Sequence, residues 1–105
     1  SEKAEKERAT SMLTLERELY AAFQEMTMLH KESTALTTEV LPTARDVFES
    51  VRTGYREGKF SYLEVLDAQR TLFAAENRHI ETLVNYHFAR SQVERLIGKD
   101  LENIK

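Results

Sequence analysis

The feature that most constrains this chain is an apolar residue recurring at alternating steps of three and four through its first half: Met12, Leu15, Leu19, Ala22, Met26, Leu29, Ser33, Leu36 and Val40. Only Ser33 departs from apolar character. A spacing that averages 3.5 residues keeps such side chains on one stripe of an α-helix, the seam of a coiled coil. Glu16, Arg17, Glu18, Gln24, Glu25, Lys31 and Glu32 fall off the stripe and face water or a second neighbour. A strand-and-turn architecture is incompatible with the composition. Glycine and proline number 3 and 1 in 105 residues, where average usage gives about 12 together.

Past Val40 the stripe resumes at Ala44, Val47 and Val51, with Phe48 and Tyr55 broadening it. Two four-residue steps in succession, Leu36 to Val40 to Ala44, make a stutter, which locally unwinds a supercoil. Pro42 lies inside it, removing one backbone donor and crowding the carbonyl of Thr38, so the first helix is expected to kink near Pro42. A break is disfavoured because the apolar phase carries through. Beside Leu41 there is also no glycine or asparagine to shape a corner.

The clearest punctuation is GYREGKFSYLEV, residues 54 to 65. Gly58 can take the left-handed conformation that closes a helix. Ser61 and Glu64 have the spacing of a capping box, and Phe60 and Val65 that of a hydrophobic staple. Two helices joined this briefly run antiparallel. The second helix carries a seam of Val65, Ala68, Leu72, Ala75, His79, Thr82, Tyr86, Ala89, Val93 and Leu96. Its alternation of small and large residues lets a neighbour come close. Another stripe, Tyr62, Leu66, Phe73, Ile80 and Leu83, lies about 100 degrees round and asks for a partner that one hairpin does not supply.

The expected fold class is therefore all-α: a long antiparallel hairpin over residues 1–105, with helices at about 3–57 and 62–97. A tight turn at Gly58 to Ser61 joins them, and a polar tail follows Gly98. Self-association or a larger parent is implied. No signal peptide precedes Ser1 and no apolar run approaches the roughly 20 residues that span a bilayer, so the sequence is expected to be a piece of a longer protein.

Several function classes are excluded by the same reading. The 15 basic and 18 acidic side chains, net charge −3, are interspersed, which leaves no footprint for a nucleic acid. With no cysteine, a disulfide scaffold, a thiolate metal site and a cysteine nucleophile are all ruled out. Met26 and His30 sit four apart, and His79 and His87 lie on the second helix. Two soft ligands are too few for a defined metal site, and no cofactor is expected. His79 and Glu76, three apart, have the spacing of a surface pair rather than of a general base with its orienter, so the chain is not expected to be an enzyme.

The stretch from Leu41 to Gly98 resembles the last helical repeat of the outer-membrane efflux channels of the TolC type. The telling segment is YREGKFSYLEVLDAQRTL, with Tyr55, the tip glycine Gly58, and the pair Leu66 and Asp67 opening the ascending helix. The tip wording GKFSYLEVLDAQ is most similar to the heavy-metal cation efflux subgroup. Residues 8 to 40 fit the family's descending helix by pattern alone. The resemblance implies a homotrimer with a β-barrel in the outer membrane of a Gram-negative bacterium and a periplasmic helical tunnel, of which this chain is a segment. It also implies two partners, a periplasmic adaptor and a proton-driven inner-membrane pump.

Residue by residue, the resemblance puts Glu57, Gly58, Lys59, Phe60 and Ser61 at the adaptor-docking tip. Glu64 and Asp67 fall at a cation-favouring tunnel constriction, and Tyr55 in a gate that inter-helix hydrogen bonds hold closed. Where the family carries a basic partner for that tyrosine this chain has Phe60, which moves any polar lock to Arg52, Arg56 or Lys59. The plain reading of the same residues is a stable turn, with both acids complementing the helix dipole. The competing function is a coiled-coil interaction module in which two hairpins form a four-helix bundle without a transport role.

Overall fold

The computed structural model describes residues 1–104, and every regular element among them is helical. Helix α1 spans Glu2–Ala35, a single π turn follows at Leu36–Val40, α2 spans Leu41–Arg56, and α3 spans Tyr62–Ile104. Among the described residues no helix is long and apolar enough to cross a membrane. The contacts divide the chain into two compact units, one of Ser1–His30 with the stretch from Asn85 onward, the other of Lys31–Val84.

In the first unit Leu15 of α1 is buried, and Met12, Leu19, Ala22, Met26 and Leu29 are half-buried along the expected seam. Ala89, Val93 and Leu96 of α3 meet the seam and are almost fully covered. The ring of His30 lies 5.8 Å from that of Tyr86. Toward the other end Thr14, Leu15 and Glu18 share a groove with Lys99, Glu102 and Asn103. The two segments are thus antiparallel. Helix α3 does not stop at Ile97, as expected from Gly98, but runs through Gly98 to Ile104. Gly98 does not take a positive φ, and Lys99, Glu102 and Asn103 beyond it share a groove with residues 10–18 of α1. The expected polar tail is helical as far as Ile104, and Lys105 lies outside the described residues.

The second unit holds the reversal. Its core is Leu41, Ala44, Leu72 and Ala75, with Phe48 packed against them. The α3 seam is met at every expected position within this unit: Val65, Ala68, Leu72, Ala75 and Thr82 are buried and His79 is half-buried. Thr82 is fully buried, and its hydroxyl donates to the Arg78 carbonyl at 2.8 Å, so the polar group is satisfied within its own helix. Glu32 and Arg78 form an ion pair between α1 and α3 at 2.5 Å.

The first helical arm of the hairpin departs from the stutter read in the sequence. The Leu41 N–H donates to the Leu36 carbonyl, five residues back, which is the hydrogen bond of a π turn. One extra residue is thereby accommodated, and the buried stripe steps from Leu36 to Leu41, Ala44, Phe48 and Val51. Val40 and Val47, expected on the seam, are instead 43% and 49% exposed. Helix is not broken at Pro42: α2 continues directly from the π turn, with proline at its second residue. The irregularity expected there takes the form of the π turn just before it.

Candidate functional site

The reversal between α2 and α3 is built from two interlocking caps. Gly58 has φ of +79°, the one positive φ among the described residues. Its N–H donates to the Tyr55 carbonyl at 3.0 Å, and the Lys59 N–H to the Gly54 carbonyl at 2.7 Å. These are the two bonds of a Schellman motif, which satisfy carbonyls that the end of a helix leaves without partners. Glycine meets the requirement because a Cβ in the left-handed region crowds the following carbonyl.

The second cap starts three residues on. Ser61 donates its backbone N–H to Glu64 Oε2 at 2.7 Å, and the Glu64 N–H donates to Ser61 Oγ at 3.3 Å. The Ser61 hydroxyl also donates to Glu64 Oε2, at 3.2 Å. This is the capping box anticipated from the spacing. It binds one Glu64 oxygen to the turn, so that carboxylate has a structural role before any other.

Between the caps Phe60 folds back over α2. A Cβ built on Gly54 would overlap the edge of the Phe60 ring, and Gly54 is itself buried. Gly54 therefore serves the turn twice, once through its carbonyl and once through its missing side chain. No sequence pattern singled it out. The signal is present nonetheless, since a residue four before the tip glycine occupies the position whose carbonyl the Schellman motif uses.

The remaining expected site residues fall around this frame. Glu57 closes α2 and pairs with Lys59 at 3.1 Å across the exposed tip. The Tyr55 ring lies 5.7 Å from that of Tyr62, tilted by 51°, so an aromatic contact joins the last turn of α2 to the first turn of α3. Arg52 is occupied elsewhere: it pairs with Glu49 at 3.1 Å and lies 5.7 Å from the Phe48 ring centre. Lys59 and Arg52 thus both hold acidic partners within this chain, and Tyr62 joins the tip cluster unforeseen. Asp67 and Glu64 stand together with Phe60 along an open groove of about 900 Å³, whose walls include Val40, Val47 and Val51.

Along the same groove stands Arg78. Its hydrogen bond to Glu32 and the charge of that carboxylate hold the guanidinium pKa above its ordinary value, with Glu81 adding to the effect. Arg78 is thus a fixed cation at the end of the groove opposite the tip acids. Of the histidines, His30 and His87 both lie against the Tyr86 ring, the latter at 5.6 Å. Among the described residues no three histidine, aspartate or glutamate side chains gather as a metal site would require.

Comparison with known proteins gives the arrangement its context. The model of the family described as outer membrane efflux protein matches residues 1–99. The cobalt-zinc-cadmium resistance protein CzcC of Cupriavidus metallidurans is 34% identical over 99 residues, covering 94% of this chain and 24% of the relative. The cation efflux system protein CusC of Escherichia coli is 31% identical over 93 residues, covering 83% of this chain and 19% of the relative. This chain therefore spans about a quarter or less of the length of these curated relatives. No solved structure gives a significant match. A family match across nearly the whole chain, agreeing with an all-helical hairpin and a capped tip, makes this chain a member of the outer membrane efflux protein family.

Proposed function

We propose that this chain is the periplasmic helical tunnel segment of a trimeric outer-membrane channel in a tripartite export system, and that its tip docks a periplasmic adaptor. The observation that carries the reading is the construction of the tip. Five residues, Glu57 to Ser61, reverse the chain, and they are exposed on a frame that two caps hold rigid. Rigidity matters because a preordered surface loses little conformational freedom on binding. Gly58 leaves open space where a side chain would stand, so another backbone can approach closely.

The relatives' names support metal cations as the cargo. CzcC and CusC are named for resistance to, or efflux of, metal cations. In this reading the cation is transported rather than held, and Glu64 and Asp67 contribute negative potential along its route. Glu64 is the weaker contributor, because the capping box engages one of its oxygens. Tyr55, in contact with Tyr62, belongs to the moving end of the tunnel. Opening is a population shift set by the adaptor's differential affinity for the two states. An inner-membrane, proton-driven pump supplies the energy, and no reaction is catalysed by this chain.

Photocross-linking in cells tests the docking, with a probe at Lys59 of the full-length protein and a control probe at Glu76 in mid-helix. A product with a periplasmic adaptor from position 59, absent from position 76, is the expected result. Loss of that product with the protein expressed and trimeric would overturn the reading and favour the four-helix-bundle interaction module.

A further inference from the structure

The π turn has the character of a register insertion. With one residue removed from Leu36–Val40, the buried positions of this arm would alternate by three and four without interruption from Met12 to Val51. The extra residue matters because α2 carries two apolar stripes one residue apart. Leu41 and Phe48 belong to the stripe turned toward Leu72 and Ala75. Val40 and Val47 belong to the other, which lines the open groove. An uninterrupted α-helix after Leu36 would bring Val40 and Val47 to the α3 side, the phase a simple heptad count gives. The two phases share Ala44 and Val51, so the apolar pattern alone barely separates them.

What separates them is Pro42. Annealing the π turn into an α-helix would require residue 42 to donate to the Thr38 carbonyl, and proline has no N–H to give. Its ring would also collide with that carbonyl in α-helical geometry. On the upstream side Thr37 Oγ1 donates to the Ser33 and Thr34 carbonyls, both at 3.1 Å, and Thr38 Oγ1 to the Thr34 carbonyl at 2.7 Å. Hydroxyls bonded in this way tend to bend a helix and loosen its regular ladder. The insertion is held between these threonines and the proline.

We propose that Pro42 is a positioning residue that locks the one-residue insertion as a π turn, and so determines which stripe of α2 faces α3 at the hairpin tip. Without the lock the turn anneals, α2 rotates about its own axis, and Val40 replaces Leu41 against α3. The role goes beyond docking and holds whether or not the tip meets an adaptor.

This chain contains no cysteine, so a disulfide between two introduced cysteines is identified by mass spectrometry from the peptides of this chain that carry them. Two pairs are placed in the full-length protein, Leu41→Cys with Ala75→Cys and Val40→Cys with Ala75→Cys, and each is oxidised in isolated membranes and quantified by mass spectrometry. With Pro42 present the 41/75 disulfide dominates. Pro42→Ala is expected to lower the ratio of 41/75 to 40/75 product by about tenfold or more, the order of change for removing a proline lock from a two-state equilibrium. Deletion of Glu39 combined with Pro42→Ala removes both the extra residue and the proline, so an unbroken α-helix puts residue 41 in the buried phase and the 41/75 product should dominate in that background. An unchanged ratio in Pro42→Ala overturns the proposal. If Pro42→Ala does not accumulate, a 40/75 preference in the combined variant overturns it equally.

Discussion

Replacing Gly54 by alanine probes the tip most sharply, because two opposing effects of known size meet there. An alanine in a helix interior is favoured over glycine by about 1 kcal/mol. Against this, the new methyl would overlap the Phe60 ring and force it out. Phe60 is 42% exposed, so a little over half of its surface is covered. For an aromatic side chain of roughly 200 Å², that is on the order of 110 Å², or about 2 to 3 kcal/mol at about 25 cal/mol per Å². Gly54→Ala is therefore expected to destabilise by about 1 to 2 kcal/mol, the range of an overpacked core. In a Phe60→Ala background the ring is gone and only the helix preference remains, so the same change should stabilise by about 1 kcal/mol. Urea denaturation of wild type, both single variants and the double variant measures the coupling, expected at about 2 to 3 kcal/mol. Stabilisation by Gly54→Ala with Phe60 intact would refute the contact between ring and backbone.

Gly58→Ala should cost about 1 to 2 kcal/mol from its positive φ alone, since its Cβ meets open space, and Gly58→Asn should cost less; thermal melts compare the two. Ser61→Ala should cost about 1 kcal/mol, and adding Glu64→Ala should cost less than the sum of the single changes because both belong to one capping box. Thr82→Val removes the hydroxyl that donates to the Arg78 carbonyl and should cost about 0.5 to 1.5 kcal/mol, whereas Thr82→Leu should cost about 1 to 3 kcal/mol by overfilling a fully buried position, as chemical denaturation would show. Leu96→Ala, at a position 3% exposed, should cost about 2 to 5 kcal/mol in the same assay.

The candidate site was legible in parts that follow from local chemistry. Gly58 as the left-handed closure and Ser61 with Glu64 as the capping box each depend on residues within a few positions of one another, and the structure has both. Gly54 and Tyr62 were not legible in the same way. Their roles arise when the chain reverses and lays Phe60 over α2 and the Tyr62 ring beside Tyr55. The proposed roles of the tip in docking and of Glu64 and Asp67 along a cation route depend on partners outside this chain, and the cross-linking experiment is the test of the docking.

By itself the sequence determined that the chain is helical, where it reverses, and which face of α3 is buried, because a 3.5-residue periodicity and a capped turn are properties of short stretches. Two outcomes belonged to the tertiary structure. A glycine that reads as a stop at position 98 stays within α3, which runs on to Ile104 with Lys99, Glu102 and Asn103 sharing a groove with α1. In α2 it is Leu41 and Phe48 that pack with Leu72 and Ala75, while Val40 and Val47 stay exposed. Apolar spacing alone permits either stripe, since both are apolar and differ by one residue. Choosing between them requires the π turn, Pro42 and the surface of α3 together.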